Sequence, residues 1–175
     1  MEDLSLHILD IAENSVAARA KRIEIQITED KNKDVLSLEI IDNGIGMDEE
    51  TTKKALNPFY TTKTVRRFGF GLSLLSEAAK ASNGSFTLES KKGIGTKIRA
   101  TFQLSHIDRQ PMGDMGQTVL TLILSNPEID FIYVHKKNSS KYILDTSEIK
   151  AQLKDIPINA PEVLNFLKDD LKNIP

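Results

Sequence analysis

The 175-residue chain is 39% hydrophobic, 6% aromatic and 27% charged, with 23 Lys+Arg against 25 Asp+Glu and a net charge of −2. Such a composition supports an aliphatic core and excludes both a broad basic nucleic-acid footprint and an acidic disordered tail. With no cysteine, disulfides, thiolate metal sites and thiol nucleophiles are excluded as well.

Length predicts one domain with at most a small appendage. The first residues, MEDLSLHILDIAENS, carry acids where a signal peptide has bases, and no apolar run approaches the ~20 residues of a membrane span. A cytoplasmic chain is the expectation.

In chain order, residues 3–20 predict a helix with Asp3 as N-cap and Leu4, Ile8 and Ile11 at helical spacing. Alternation then predicts strands over 22–28 (Ile23, Ile25, Ile27) and 35–41 (Leu36, Leu38, Ile40), joined by the polar turn 30–34. The glycine-bearing DNGIGMD follows, then a short helix over 48–56 ended by Asn57-Pro58. Residues 59–71 are basic and without period, which predicts a loop. The spacing predicts a helix over 72–84, closed by Asn83-Gly84. Two further strands flank the KKGIG turn, with Phe86, Leu88, Ile98, Ala100, Phe102 and Leu104 on one face.

After Leu104, Pro111, Gly113 and Gly116 mark a linker over 105–117. A helix, two strands and two more helices complete residues 118–175. These read as a small α+β appendage with its own modest core (Phe131, Ile132, Tyr133, Val134, Ile143, Leu144, Leu164, Phe166, Leu167). The whole predicts an α+β protein: a two-layer sandwich of mixed or antiparallel sheet with helices on one face.

Three short motifs carry chemistry. Asp10 and Asn14 lie four apart on the first helix and share a face, although an exposed polar face explains them equally well. Asp42 ends a strand and is followed by Gly44 and Gly46, which permit a tight turn or close approach of a ligand to the backbone. Gly69, Phe70, Gly71 and Leu72 open a helix, whose free N–H groups and dipole suit a phosphate. Singly, each is also explained as a turn or a helix start.

Taken in register, with FYTTK (59–63) and GIGT (93–96) between and after them, these motifs resemble the GHKL superfamily of ATPases: gyrase, heat-shock chaperone, histidine kinase and MutL. The resemblance covers residues ~4–104 and implies the Bergerat nucleotide fold over 1–104, binding ATP with Mg²⁺. It implies that Asn14 coordinates the Mg²⁺ and that Asp10 stands where hydrolytic members have a water-activating glutamate. Asp42 then accepts from the adenine N6 amino group, a role that disfavours guanine, which has a carbonyl oxygen there. Gly44, Gly46 and Met47 line the base, and Thr96 orders water beside Asp42. Lys63 is the lid cation, within a lid over 58–71 expected to order on nucleotide. Gly69, Phe70, Gly71 and Leu72 form the phosphate turn.

Two departures stand out. Arg67 replaces the first glycine of the family's G-x-G-x-G box, and Asp10 is one methylene shorter than glutamate. A carboxylate misplaced on that ångström scale can lose about 100-fold in rate, so nucleotide binding is better supported than hydrolysis.

Only six residues precede His7, so no phosphoacceptor hairpin is expected before the ATPase domain. His7, His106 and His135 are read as structural. The resemblance leaves three classes: a regulatory ATPase or protein kinase acting on a protein partner, a slow MutL-like switch, or a non-catalytic ATP sensor.

Overall fold

The computed structural model describes residues 2–57 and 70–175. Helix α1 (Leu4–Ala17) is capped by Asp3, whose carboxylate accepts from the Leu6 N–H. Strands β1 (Arg22–Asp30) and β2 (Val35–Asp42) follow, then the short helix α2 (Glu49–Lys54), capped by Asp48. After helix α3 (Gly71–Ala81) come β3 (Phe86–Lys91) and β4 (Gly95–Gln103). Helix α4 (Met115–Ser125), β5 (Asp130–Lys137), β6 (Ser140–Asp145), α5 (Thr146–Leu153) and α6 (Pro161–Asp170) complete the order, with a closing 3₁₀ turn at Leu171–Asn173.

All six strands form one sheet in the order β3-β4-β2-β1-β5-β6, with β1 and β5 parallel and the other pairs antiparallel. Period-2 alternation fixes which side is covered. Ile23, Ile25 and Ile27 lie in register with Ile40 and Leu38 on one side and with Phe131, Tyr133 and His135 on the other. Leu36, Leu38 and Ile40 continue onto Phe102, Ala100 and Ile98. All twelve of those inward side chains are buried, under α1, α3 and α4. Burying each large aliphatic group stabilises the fold by roughly 1.5–3 kcal/mol. The expected α+β sandwich of mixed sheet and helices is what forms.

Residues 118–175 differ from the expected separate appendage. β5 hydrogen-bonds to the edge of β1, and α4 packs on α1. Met115, Val119, Leu122, Phe131, Tyr133 and Leu167 join the same buried cluster as Leu4, Ile8 and Ile25. The expected linker is a strap: Pro111 and Met112 carbonyls accept from the Leu4 and Ser5 N–H groups (2.9 and 2.8 Å). Those first-turn donors of α1 have no partner within the helix, so the strap satisfies them.

Two expected core residues of this region, Ile143 and Phe166, are more than half exposed. Ile143 alternates outward from Tyr142 and Leu144, and Phe166 precedes the inward Leu167.

His7 is 1% exposed, and its Nε2 faces the Oε1 of Gln110 in the strap at 2.9 Å. Among the described residues, no helix is long and apolar enough to cross a membrane.

Candidate functional site

Polar residues interrupt the inward faces at one end of the sheet. Asp42 follows Leu36, Leu38 and Ile40 on the covered side of β2 and is 9% exposed. Ser15 follows Leu4, Ile8 and Ile11 on the buried stripe of α1 and is 3% exposed. Each occupies a position where the pattern calls for an apolar side chain, and a buried polar group needs a partner.

They partner each other. The Ser15 hydroxyl donates to Asp42 Oδ2 at 2.6 Å, and the Gly44 N–H donates to Oδ1 at 2.9 Å. Each carboxylate oxygen thus holds one donor and keeps capacity for another.

Beside Asp42 opens a cleft of about 380 Å³, with Ile11, Ile45, Met47, Leu72 and Ile98 as apolar lining and Asn14, Asp42 and Thr96 as polar points. Its size and mixture suit a small organic ligand. The structure therefore brings together Asn14, Asp42, Gly46, Met47, Leu72 and Thr96. Asn14 Nδ2 is buried and has no hydrogen-bond partner among the described residues, an orphan of the kind a ligand satisfies. Asp48 stands at the rim, its carboxyl held below the ordinary value by the Thr51 N–H it caps.

The glycines serve protein contacts first. Gly46 has φ +64°, and a Cβ there would lie 2.0 Å from the Lys91 carbonyl oxygen. The D-N-G-I-G turn is pressed against the β3–β4 turn, where the Gly93 N–H donates to the Ile45 carbonyl at 2.7 Å. Gly44 abuts Ala18 at the end of α1, and the Ile45 N–H donates to the Ala18 carbonyl. The close approach read from these two glycines is thus an approach of backbone to backbone.

Thr96, in register with Asp42, contacts Ser90 Oγ at 2.9 Å, and Ser90 accepts from the Met47 N–H at 2.8 Å. Ser15 and Ser90 were missed in the sequence, yet Ser15 on the apolar stripe was a readable signal. Lys92, in the β3–β4 turn, also lines the cleft.

Asp10 is set apart from this group. Its carboxylate lies over the first turn of α3, where a Cβ at Gly71 would come 1.7 Å from Oδ2. Asp10 and Asn14 thus share α1 but face different neighbours: Asp10 the helix start at Gly71, Asn14 the cleft. Phe70 precedes α3 as its N-cap and is 56% exposed. Lys63, Gly69, Arg66, Arg67 and the expected lid up to Gly69 lie outside the described residues.

Fold and cleft together define an α+β architecture in which a buried strand-end carboxylate faces an apolar pocket. Residues 2–106 match the family described as histidine kinase-, DNA gyrase B- and HSP90-like ATPase, and the chain belongs to that family.

Among its relatives is the sensor histidine kinase YvrG of Bacillus subtilis (strain 168), 35% identical over 94 residues, which are 51% of this chain and 16% of that protein. The sensor histidine kinase YxdK of the same organism is 32% identical over 90 residues, 49% of this chain and 27% of that one. The chain thus spans about a quarter or less of these relatives.

In structure it resembles the N-terminal domain of a DNA repair protein (TM-score 0.56, 18% identity, 83% of this chain and 53% of that one). It also resembles the Aquifex aeolicus MutL ATPase domain complexed with ADP (TM-score 0.50, 18% identity, 88% and 68%). Both likenesses cover more of the chain than residues 2–106 supply, so the fold they share includes part of the sheet and helices that follow.

Proposed function

We propose that this chain binds ATP through the cleft beside Asp42 and acts, in the cytoplasm, as a regulatory ATPase or protein kinase on a protein partner. The observation that carries the reading is the buried Asp42 carboxylate in an apolar wall, held by Ser15 and Gly44. An acceptor so placed pairs with the N6 amino group of adenine, whereas the O6 of guanine would face it without a proton between them. Gly46, Met47 and Ile98 flank the base, and Thr96 holds water beside the carboxylate.

Asn14 would hold Mg²⁺, which when bound neutralises charge on the triphosphate oxygens. Mg²⁺ on a nucleotide typically takes one or two protein oxygen ligands beside phosphates and water. The Asn14 side chain lines the cleft, and its Oδ1 would be such a ligand, leaving the orphaned Nδ2 to donate to a phosphate oxygen.

Asp10 is the candidate base. In hydrolysis it would accept a proton from water as that oxygen attacks the γ-phosphorus and ADP leaves. In transfer, a partner's side chain replaces the water.

A nucleotide-driven switch is the second reading, favoured by a fold likeness to the MutL ATPase domain complexed with ADP that extends past residue 106. Calorimetry with Mg-ATP and Mg-GTP tests the shared premise. ATP should bind more tightly, and Asp42→Asn, which turns an acceptor into a donor, should weaken it about 10- to 100-fold. Equal affinity in the variant would remove Asp42 from the site. γ-Labelled ATP then separates the readings: label on a partner supports transfer, free phosphate supports the switch, and neither leaves a sensor.

A further inference from the structure

The sheet ends on a strand with one free edge. β6 pairs with β5 on one side, and no strand follows it in the order β3-β4-β2-β1-β5-β6. Helix α5, which follows β6 directly, packs on β5. Among the described residues, the backbone groups of residues 141–144 that turn away from β5 make no hydrogen bond. A row of unpaired N–H and C=O groups is a template for another strand.

Tyr142 and Leu144 turn inward and are buried, so Lys141, Ile143 and Asp145 share the other side of the strand. Ile143 is 54% exposed. Lys141 stands directly opposite Lys136 of β5, and like charges so placed cost stability. None of Lys136, Lys141 and Asp145 has an opposite charge within ion-pair distance among the described residues. On the inner side, the Tyr142 hydroxyl donates to Asp170 of α6. Phe166, one turn before Asp170, shares that side of the helix and is 57% exposed. A second apolar group thus stands uncovered next to the edge.

We propose that β6 pairs antiparallel with β6 of a second copy of this chain, about a two-fold axis at Ile143. The order Lys141-Tyr142-Ile143-Leu144-Asp145 is complementary to itself in that register. Lys141 meets Asp145 of the second copy, Tyr142 meets its Leu144, and the two Ile143 side chains meet each other. Antiparallel pairing sets residues of like backbone orientation opposite one another, so the axis passes through a residue. An axis at Lys141 or Asp145 would oppose like charges, and one at Tyr142 or Leu144 would set Ile143 against a charge. Ile143 is the centre that satisfies all three outward side chains. Native edges are commonly blunted by lysine, but a lysine matched by an aspartate at the symmetric position repels no second copy. Such a contact is isologous, as closed dimers require. β1 and β5 separate β6 from β2 and Asp42, so the pairing does not depend on what the cleft binds.

The test is sedimentation of the full chain, without nucleotide, over a range of concentrations. A monomer–dimer equilibrium with Kd of about 10–100 μM is expected, because strand pairing alone is a small interface. Lys141→Asp sets aspartates opposite each other and should weaken the dimer about tenfold; Asp145→Lys should do the same with lysines. Mixed one to one, these two variants should form a heterodimer of about wild-type affinity, since each charge again meets its opposite. The chain has no cysteine, so Ile143→Cys should cross-link copy to copy with diamide. Ile107→Cys, at an exposed position on another segment, should not. Asp145 caps α5, so melting temperatures accompany every variant, and Lys141→Asp with Ile143→Cys decides if Asp145→Lys fails to fold. A chain monomeric up to about 1 mM, a dimer unchanged by Lys141→Asp, or a mixture of folded variants no tighter than either alone overturns the proposal. Equal cross-linking at residues 143 and 107 overturns it too, as does a monomer whose edge takes up a strand of another protein instead.

Discussion

The Ser15 hydroxyl donates to Asp42 Oδ2 at 2.6 Å, joining the first helix to the end of the second strand across 27 residues of sequence. Both groups are buried, so the bond orients the carboxylate that the nucleotide reading depends on. Ser15→Ala leaves that oxygen without its donor, at a cost of about 1 kcal/mol in stability and about a fivefold loss of ATP affinity. Thermal unfolding and calorimetry check the two effects. A double-mutant cycle with Asp42→Asn should show coupling, since the residues share one interaction; additive losses would mean that Ser15 acts elsewhere.

Gly71 admits no side chain while Asp10 keeps its place. An alanine Cβ would fall 1.7 Å from Asp10 Oδ2, so Gly71→Ala must displace either the carboxylate or the start of α3. Overpacking of this kind costs about 1–3 kcal/mol, and phosphate release should fall with the displaced base. Asp10→Asn, nearly the same shape, should end any hydrolysis while binding through Asn14 and Asp42 persists. Undiminished phosphate release by Asp10→Asn would exclude Asp10 as the base.

Removing residues 106–175 should destabilise the ATPase fold. The cut strips β5 from β1 and α4 from α1, exposing Ile25 and Ile8 together with a row of unpaired β1 backbone groups. Exposed edges of that kind promote aggregation. Expression of residues 1–105 is expected to give insoluble or unfolded protein. A soluble, cooperatively melting fragment would show that the second half of the sheet is dispensable.

His7 makes stability depend on pH. Burial holds its pKa below the ordinary 6.5, against the opposing effect of the Gln110 bond. With Nε2 donating to Gln110 Oε1, protonation would place a second N–H on Nδ1, which is buried and has no partner among the described residues. Above pH 6.5 the ring is neutral in folded and unfolded chain alike, and it adds no pH dependence. Below 6.5 the unfolded chain takes up the proton first, so stability falls as pH falls towards the lowered folded value. Melting curves between pH 7 and 5 should show a steeper decline for the wild type than for His7→Gln. Equal slopes would place the titration elsewhere.

The family motifs were legible because they are local. Asp42, Gly44, Gly46 and Met47 sit on one turn, and their spacing in sequence is nearly their spacing in space. Strands and helices were legible for the same reason: Ile23, Ile25 and Ile27, or Leu4, Ile8 and Ile11, announce their buried face by period alone. The pairing of β5 and β6 onto this sheet was not legible. Alternation in β5 shows that Phe131 and Tyr133 point to a core, but it does not say whose core, and the pairing of β1 with β5 spans more than a hundred residues.

What the sequence by itself determined is the family, the element order and three of the polar residues at the cleft, Asn14, Asp42 and Thr96. Only tertiary structure decided that the Pro/Gly segment is a strap on α1, that Ser15 serves Asp42, and that Asp10 rests on Gly71. The physical reason is that periodicity reports which face of an element leaves water, whereas a partner across the core is chosen by chain closure and packing over all elements at once. Burial can be read from one segment; the identity of what covers it cannot.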